Sequence, residues 1–199
     1  MKKIVLAYSG GLDTSYCLKK LSNEGNQVHA VCVNTGGFSK TQLESFKIKA
    51  MDLGAFNYET INASKSYYEK IIKYLIFGNV LRNNTYPLSV SAERTIQALE
   101  IINYANKNKA THIAHGSTGA GNDQVRFDML FQIMAPEIEI ITPIRDNNLS
   151  RLDETKYLQK NGVKIKWDSA KYSVNKGLWG TSVGGDETLT SNLKLPDEA

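Results

Sequence analysis

The junction between an apolar segment and a glycine pair, close to the N-terminus, constrains this chain more than any other feature. Lys3-Ile4-Val5-Leu6-Ala7-Tyr8 is apolar throughout after its first residue, and Ser9-Gly10-Gly11-Leu12-Asp13-Thr14-Ser15 follows at once. A run without polar alternation suits a strand covered on both faces, the mark of a parallel sheet with helices above and below. The glycines then allow a sharp turn. Cys17, Leu18 and Leu21 have the spacing of a helix face, and Gly25 is placed to end that helix.

The rest of the chain repeats this alternation. A second strand over 28–33 ends in Gly36-Gly37, and a helix capped by Ser39 runs to Leu53 with Gly54 behind it. Residues 58–61 read as a third strand, and Tyr67, Ile71, Ile72 and Leu75 as the apolar stripe of the next helix. In that helix Tyr67, Tyr68, Tyr74 and Phe77 read as core or, alternatively, as an oligomer face. Pro87 holds Tyr86 extended before a long helix to about Asn106. A short strand at 113–115, a helix over 125–134, a fifth strand over 137–142 and a surface helix over 151–160 follow. Such alternation predicts an α/β fold with a doubly wound, parallel, five-stranded sheet, its crossovers right-handed. From 172 to 192 the chain is rich in Gly, Ser and Thr without a clear period, as expected for the start of a second domain cut short.

Composition narrows the function. The 199 residues are 41% hydrophobic and 22% charged, with a formal charge of +4. No Lys/Arg block exceeds two residues, which argues against a nucleic-acid surface. No apolar run approaches the roughly 20 residues of a bilayer span, and the N-terminus lacks the pattern of a secretory signal. A cytoplasmic location, with no membrane partner, is expected. Cys17 and Cys32 read as free buried thiols, and without a C-x-x-C pair no metal ligands are assigned.

Two clusters carry chemistry. Ser9–Ser15 combines two glycines, three hydroxyls and a helix N-terminus, a setting that favours an anion at the end of a strand. It lacks the Lys-Ser/Thr pair of a Walker loop and is not G-x-G-x-x-G. The plainer alternative is a turn capped by Asp13 or Thr14. The second cluster runs Ala114-His115-Gly116-Ser117-Thr118-Gly119-Ala120-Gly121-Asn122-Asp123-Gln124-Val125-Arg126. A helix starting near Asn122 puts Asn122 and Arg126 on one face with Asp123 beside them. That set complements the ammonium and carboxylate of an amino acid. The plainer alternative is a surface pair between Asp123 and Arg126.

S-G-G-x-D-[ST]-S after a buried strand resembles the pyrophosphate loop of the ATP-pyrophosphatases. A-Y-S-G-G-L-D-T-S, Y-P-L-x-x-S, H-G-x-T-G-x-G-N-D-Q-V-R-F and Y-S-x-x-x-x-L-x-x-x-S, in that order, resemble argininosuccinate synthase along the whole chain, roughly the first half of a family member. The resemblance implies an adenine nucleotide alpha hydrolase-like domain over 1–168, and over 169–199 the incomplete beginning of a synthetase and oligomerisation domain. It implies an AMP-forming carbon–nitrogen ligase of arginine biosynthesis that joins citrulline to aspartate using ATP and Mg2+, in a homotetrameric parent enzyme.

By the same resemblance ATP is held by Ala7, Tyr8, Ser9, Gly10, Gly11, Leu12, Asp13, Thr14 and Ser15, with Asn34 and Gly116. Thr118, Asn122 and Asp123 hold aspartate; Tyr86, Ser91, Asn122, Arg126, Ser173 and Ser182 hold citrulline. No general base is assigned: His115 is a candidate base or a loop-orienting residue, and His29 and His112 read as structural. Asp13 orders the loop or reaches magnesium, the first being favoured. Three departures from the family pattern stand out: Ala120 for a lysine, Ser89-Val90 for Gly-Thr, and Val33–Gly37 without the usual acidic residue. Another ATP-pyrophosphatase, such as a tRNA-modifying enzyme, and an ATP-binding module without full activity are the alternatives.

Overall fold

The computed structural model describes residues 1–119, 121–164 and 173–197. Five parallel strands form the central sheet: β1 (Lys3–Ala7), β2 (Gln27–Asn34), β3 (Asn57–Asn62), β4 (His112–Ala114) and β5 (Glu139–Ile141). Their order is β3-β2-β1-β4-β5, with Leu6 in register with Ala30 on one side and Ala114 on the other. The chain therefore reverses direction of travel across the sheet between β1 and β4, opening a crevice at their carboxyl ends.

The apolar run of β1 is explained by two cores. Val5 packs into one beneath α5 (Ser89–Lys107) and α6 (Asp123–Met134), with Ile96, Ile101, Phe127 and Phe131. Ile4 and Leu6 point the other way, against Leu18 of α1 (Leu12–Asn23), Leu53 behind α2 (Lys40–Asp52) and Leu158 of α8 (Arg151–Lys160). With a period of two and a core on each side, no position from Ile4 to Leu6 is left for a polar residue.

Helix starts follow the local chemistry. Ser39 and Gln42 cap α2 reciprocally, as do Ser150 and Asp153 for α8. The helix after β3 is broken into α3 (Ser64–Tyr67), a π turn over Tyr68–Ile72 and α4 (Lys73–Phe77), and both Tyr67 and Ile72 turn inward. Tyr67 is core, whereas Tyr68, Tyr74 and Phe77 are exposed. The helix expected at 151–160 carries more than surface residues, because Glu154 and Leu158 are fully buried. A short helix unforeseen from sequence, α7 (Pro143–Asp146), follows β5. Cys17 and Cys32 are free and buried, and no helix among the described residues is long and apolar enough to cross a membrane.

The segment without readable period contains an antiparallel hairpin, β6 (Ser173–Gly177) and β7 (Gly180–Gly184). Its turn, Leu178-Trp179, has none of the usual Asn-Gly chemistry and gave no signal. The hairpin docks on the sheet domain. Leu178 N donates to Thr35 O at 2.8 Å, and Trp179 Nε1 donates to Pro87 O at 2.6 Å. Gly37 is required by this contact, since a Cβ there would lie 1.8 Å from the carbonyl oxygen of Lys176. The domain boundary expected at 168 lies outside the described residues.

Replacing Gly37 by Ala forces the hairpin to move, at a cost of about 1–3 kcal/mol for an overpacked contact. In a Trp167→Phe background, Trp179 fluorescence shifts to the red while far-ultraviolet circular dichroism is retained. Unchanged Trp179 emission contradicts this docking.

Candidate active site at the carboxyl ends of β1 and β4

The first loop leaves β1 at Tyr8, and Gly10 takes a left-handed φ of 74° that a side chain disfavours. A Cβ at Gly10 would also lie 2.4 Å from Cδ1 of Phe46, whose ring covers the loop from α2. Lys49, one turn further along α2, donates from Nζ to Gly10 O at 2.9 Å, and burial lowers its pKa. Neither contact was legible in sequence, because α2 presents no motif.

Gly11 is the N-cap of α1 and provides no side-chain cap. Thr14 Oγ1 instead accepts from Ser9 N at 3.3 Å and donates to Gly11 O at 3.4 Å. The cap foreseen in the plainer alternative is not formed: the first-turn N–H groups of α1 receive no cap from Asp13 or Thr14. An uncapped helix start presents donors and the positive end of a dipole to an anion. The hydroxyls are not equivalent. Ser9 is exposed, Thr14 is largely buried and Ser15 is 0% exposed, so Ser15 contributes to the loop from below. Tyr8 packs edge-on against Tyr58, and burial pushes its phenol up to about 12. Ala7 and Leu12 anchor the two ends of the turn in opposite cores.

The second loop leaves β4 at His115 and packs on the first. A Cβ at Gly116 would meet the backbone carbon of Asp13 at 3.2 Å and the nitrogen of Thr14 at 3.3 Å. A side chain at 116 would press the loops apart by a few tenths of an ångström, so with glycine there the two motifs, about 100 residues apart, pack as one surface.

His115 is a loop-orienting residue. Its Nδ1 accepts from Ser117 N at 3.2 Å, and Nε2 therefore carries the proton and donates to Asp128 Oδ1 at 2.8 Å. The ring is 1% exposed, is stacked on Phe127, and is far too enclosed to act as a base. Asp128 is held in turn by Arg145. Burial raises the Asp128 pKa, but the hydrogen bonds from His115 and Arg145 outweigh it and hold the carboxyl below its usual range.

Beyond Thr118, which is exposed, Asn122 takes the N-cap position of α6 and is also exposed. Asp123 accepts from Arg126 at 2.7 Å and from Arg94 Nε at 2.9 Å. The Asp123–Arg126 pair foreseen as the plainer alternative is thus present, and it belongs to a larger network. Arg94 also bonds Asn175 of β6, which lies opposite Ser182 in the hairpin register. Tyr86 Oη accepts from Val90 N at 3.0 Å, and Ser91 Oγ donates to Leu88 O at 3.2 Å, both at the start of α5. The structure therefore gathers Ser91, Asp123, Arg126 and Ser182 around α5 and α6. Ser173 opens β6 opposite Gly184. Asn34 stands apart: its amide oxygen accepts from Gly36 N and Phe38 N at 3.0 and 3.3 Å, building the turn after β2.

Sequence reasoning missed Arg94 and its neighbour Glu93. Glu93 is 7% exposed and accepts from Thr35 Oγ1 at 2.6 Å, and burial raises its pKa. Both sit on a helical stretch whose spacing gives no hint of the hairpin they meet. Ala120 lies outside the described residues.

A family model described as "Arginosuccinate synthase N-terminal HUP domain" matches residues 3–164. The chain is 40% identical over 198 residues to a protein of Sulfurisphaera tokodaii named argininosuccinate synthase, covering 99% of this chain and 50% of that one. A relative of the same name from Methanocaldococcus jannaschii is also 40% identical, over 98% of this chain and 49% of its own length. One from Lactococcus lactis subsp. cremoris is 39% identical over 92% and 46%. The chain thus spans about half the length of the curated relatives it matches. Among solved structures, a predicted subunit of tRNA methyltransferase from Methanocaldococcus jannaschii shares the fold, with a TM-score of 0.52 at 16% identity over 80% of this chain and 75% of that one.

Replacing Asp128 by Asn removes an acceptor whose carboxyl is depressed in the fold. Wild-type stability from this group is present above the ordinary carboxylate range and is lost as pH falls through it. The Asp128→Asn chain should melt lower at neutral pH and lose less on acidification. Parallel melting curves against pH contradict the assignment.

Proposed function

The chain belongs to the argininosuccinate synthase family, and on that premise we propose that it carries the nucleotide-binding part of an enzyme that ligates citrulline to aspartate while converting ATP to AMP and pyrophosphate. The observation that carries this reading is the contact of Gly116 with Asp13 and Thr14, which joins an uncapped helix start to a second glycine loop at the switch point of the sheet. Ala7–Ser15 and Gly116 would receive the triphosphate, and the N–H groups of α1 would stabilise charge on the departing pyrophosphate. The ureido oxygen of citrulline attacks the α-phosphate, and the amine of aspartate then displaces AMP from the citrullyl-adenylate.

This chemistry asks the protein chiefly for positioning and charge. Thr118, Asn122 and Asp123 would hold aspartate. Tyr86, Ser91, Asn122, Arg126, Ser173 and Ser182 would hold citrulline. Substrate carboxylates would compete with Asp123 for Arg126, while Arg94 keeps Asp123 from being left unpaired. Asn34, engaged in its own turn, would offer the nucleotide its backbone and its place at the end of β2. Among the described residues no group of three or more His, Cys, Asp or Glu is placed to hold a metal. Magnesium would therefore arrive with the phosphates, where it neutralises their charge.

We extend the proposal to the whole enzyme: cytoplasmic, homotetrameric, part of arginine biosynthesis, with the segment from 169 onward opening a synthetase domain.

Calorimetry should show ATP binding to the chain, weakened at least about tenfold by Gly116→Val, whose side chain must displace the backbone of the first loop and the Cβ of Asp13. Exchange of pyrophosphate into ATP should respond to citrulline and ignore tRNA. Exchange driven by tRNA and silent with citrulline overturns the reading.

A further inference from the structure

A second acid lies behind the phosphate loop, on an element that no motif includes. Glu154, on the buried face of α8, is 1% exposed, and its Oε2 has no hydrogen-bond partner among the described residues. The pairing of α1 with α8 turns it towards Asp13, in the first turn of α1, whose negative charge acts on it. The facing is fixed from both sides. The Ser150–Asp153 capping box sets the start of α8. Tyr16 packs edge-on against Tyr157 with centroids 5.1 Å apart, and Asn23 donates to Asn161 at 2.9 Å. Asp13 is also the residue on which Gly116 rests. A displacement of Asp13 would therefore reach both loops of the site.

We propose that Glu154 is a positioning residue for the phosphate loop: as a neutral acid it donates a hydrogen bond to the Asp13 carboxylate and holds the first turn of α1 in place for the triphosphate. The inference rests on the reading of that loop as the ATP site. Two carboxylates this close, one of them fully buried, are best accommodated by sharing one proton. The groups around the pair favour that state. Asp13, Tyr16 and Cys17 face it from α1, and Asp153 and Tyr157 lie along α8; of the cations on these helices Arg151 acts on Glu154 directly, while Lys20 acts on Tyr16 and Tyr157 and Lys156 on Asp153. The 115–119 loop brings Gly116, which has no charge, against Asp13. Burial first, then the charge and hydrogen bond of Asp13, push the Glu154 carboxyl up to about 8. A second negative charge behind the loop would both lose the donor and repel phosphate. Loop order and ATP affinity therefore fall together as Glu154 ionises.

The folded chain holds a proton on Glu154 that the unfolded chain releases in the ordinary carboxylate range. Stability from this group is full below that range and is lost as pH rises towards about 8. Glu154→Gln keeps a donor at every pH. ATP affinity of the wild-type full chain, measured by calorimetry, should fall about fivefold or more from pH 7 to pH 9 beyond any fall seen in Glu154→Gln. Ionisation of ATP itself affects both proteins alike. Identical pH profiles overturn the proposal while leaving the ATP site standing. Absence of ATP binding at every pH overturns the ATP reading, and this inference with it. Should Glu154→Gln not fold, carbon-13 NMR of the Glu154 carboxyl in the wild type decides. Saturating ATP should raise its titration midpoint, by linkage, and an unmoved midpoint overturns the proposal.

Discussion

The approach of two loops at the carboxyl ends of β1 and β4 is the constraint on which the rest of the site depends. Gly116 rests on Asp13 and Thr14 so closely that a Cβ would force the loops a few tenths of an ångström apart. This contact needs β1 and β4 to be neighbours, and they are neighbours only because the chain, after building β2 and β3 on one side, returns to add β4 on the other. It also needs the second loop to be stiff. His115, buried and bonded to both Ser117 and Asp128, supplies that stiffness, and Arg145 completes the support from beyond β5.

Around this contact the polar groups form layers. Nearest the crevice are the uncapped N–H groups of α1 and the exposed Ser9. Asp123, clamped by Arg94 and Arg126, lies on the neighbouring helix mouth. The β6–β7 hairpin closes one side, tied to α5 through Asn175 and to Pro87, just before α5, through Trp179, and given passage by Gly37. Charged and polar side chains beside a glycine loop are what the proposed ligation of two amino acids would ask of this face.

Much of this was legible in sequence, for definite physical reasons. The unbroken apolar β1 announces a strand with two cores, and the glycine clusters announce backbone approach. Ser39 caps its helix as foreseen, and α5 ends within a residue of its expected limit. The candidate site residues of α1 and α6 could be proposed because their motifs are local. What could not be read depends on partners distant in sequence. Glu154 resembles any acid on an amphipathic helix until α1 is seen against it. Glu93 and Arg94 acquire meaning only when the hairpin arrives, and the hairpin itself turns through Leu178-Trp179, residues without turn preference. Gly36-Gly37 was read as a turn, and Asn34 and Gly36 form one; the need for glycine at 37, where Lys176 comes so close, had no local signal. His115 could not be assigned between base and support until its two hydrogen bonds were known.

The central claim is that the two glycine loops form one nucleotide surface. Amide chemical-shift mapping during titration with Mg-ATP tests it most directly. The account predicts that the largest shifts fall together on Gly10, Gly11, Leu12, Asp13 and Thr14 of the first loop and on Gly116 and Ser117 of the second, saturating with one affinity. Shifts confined to one loop, or centred on the outer face of α2, would contradict it.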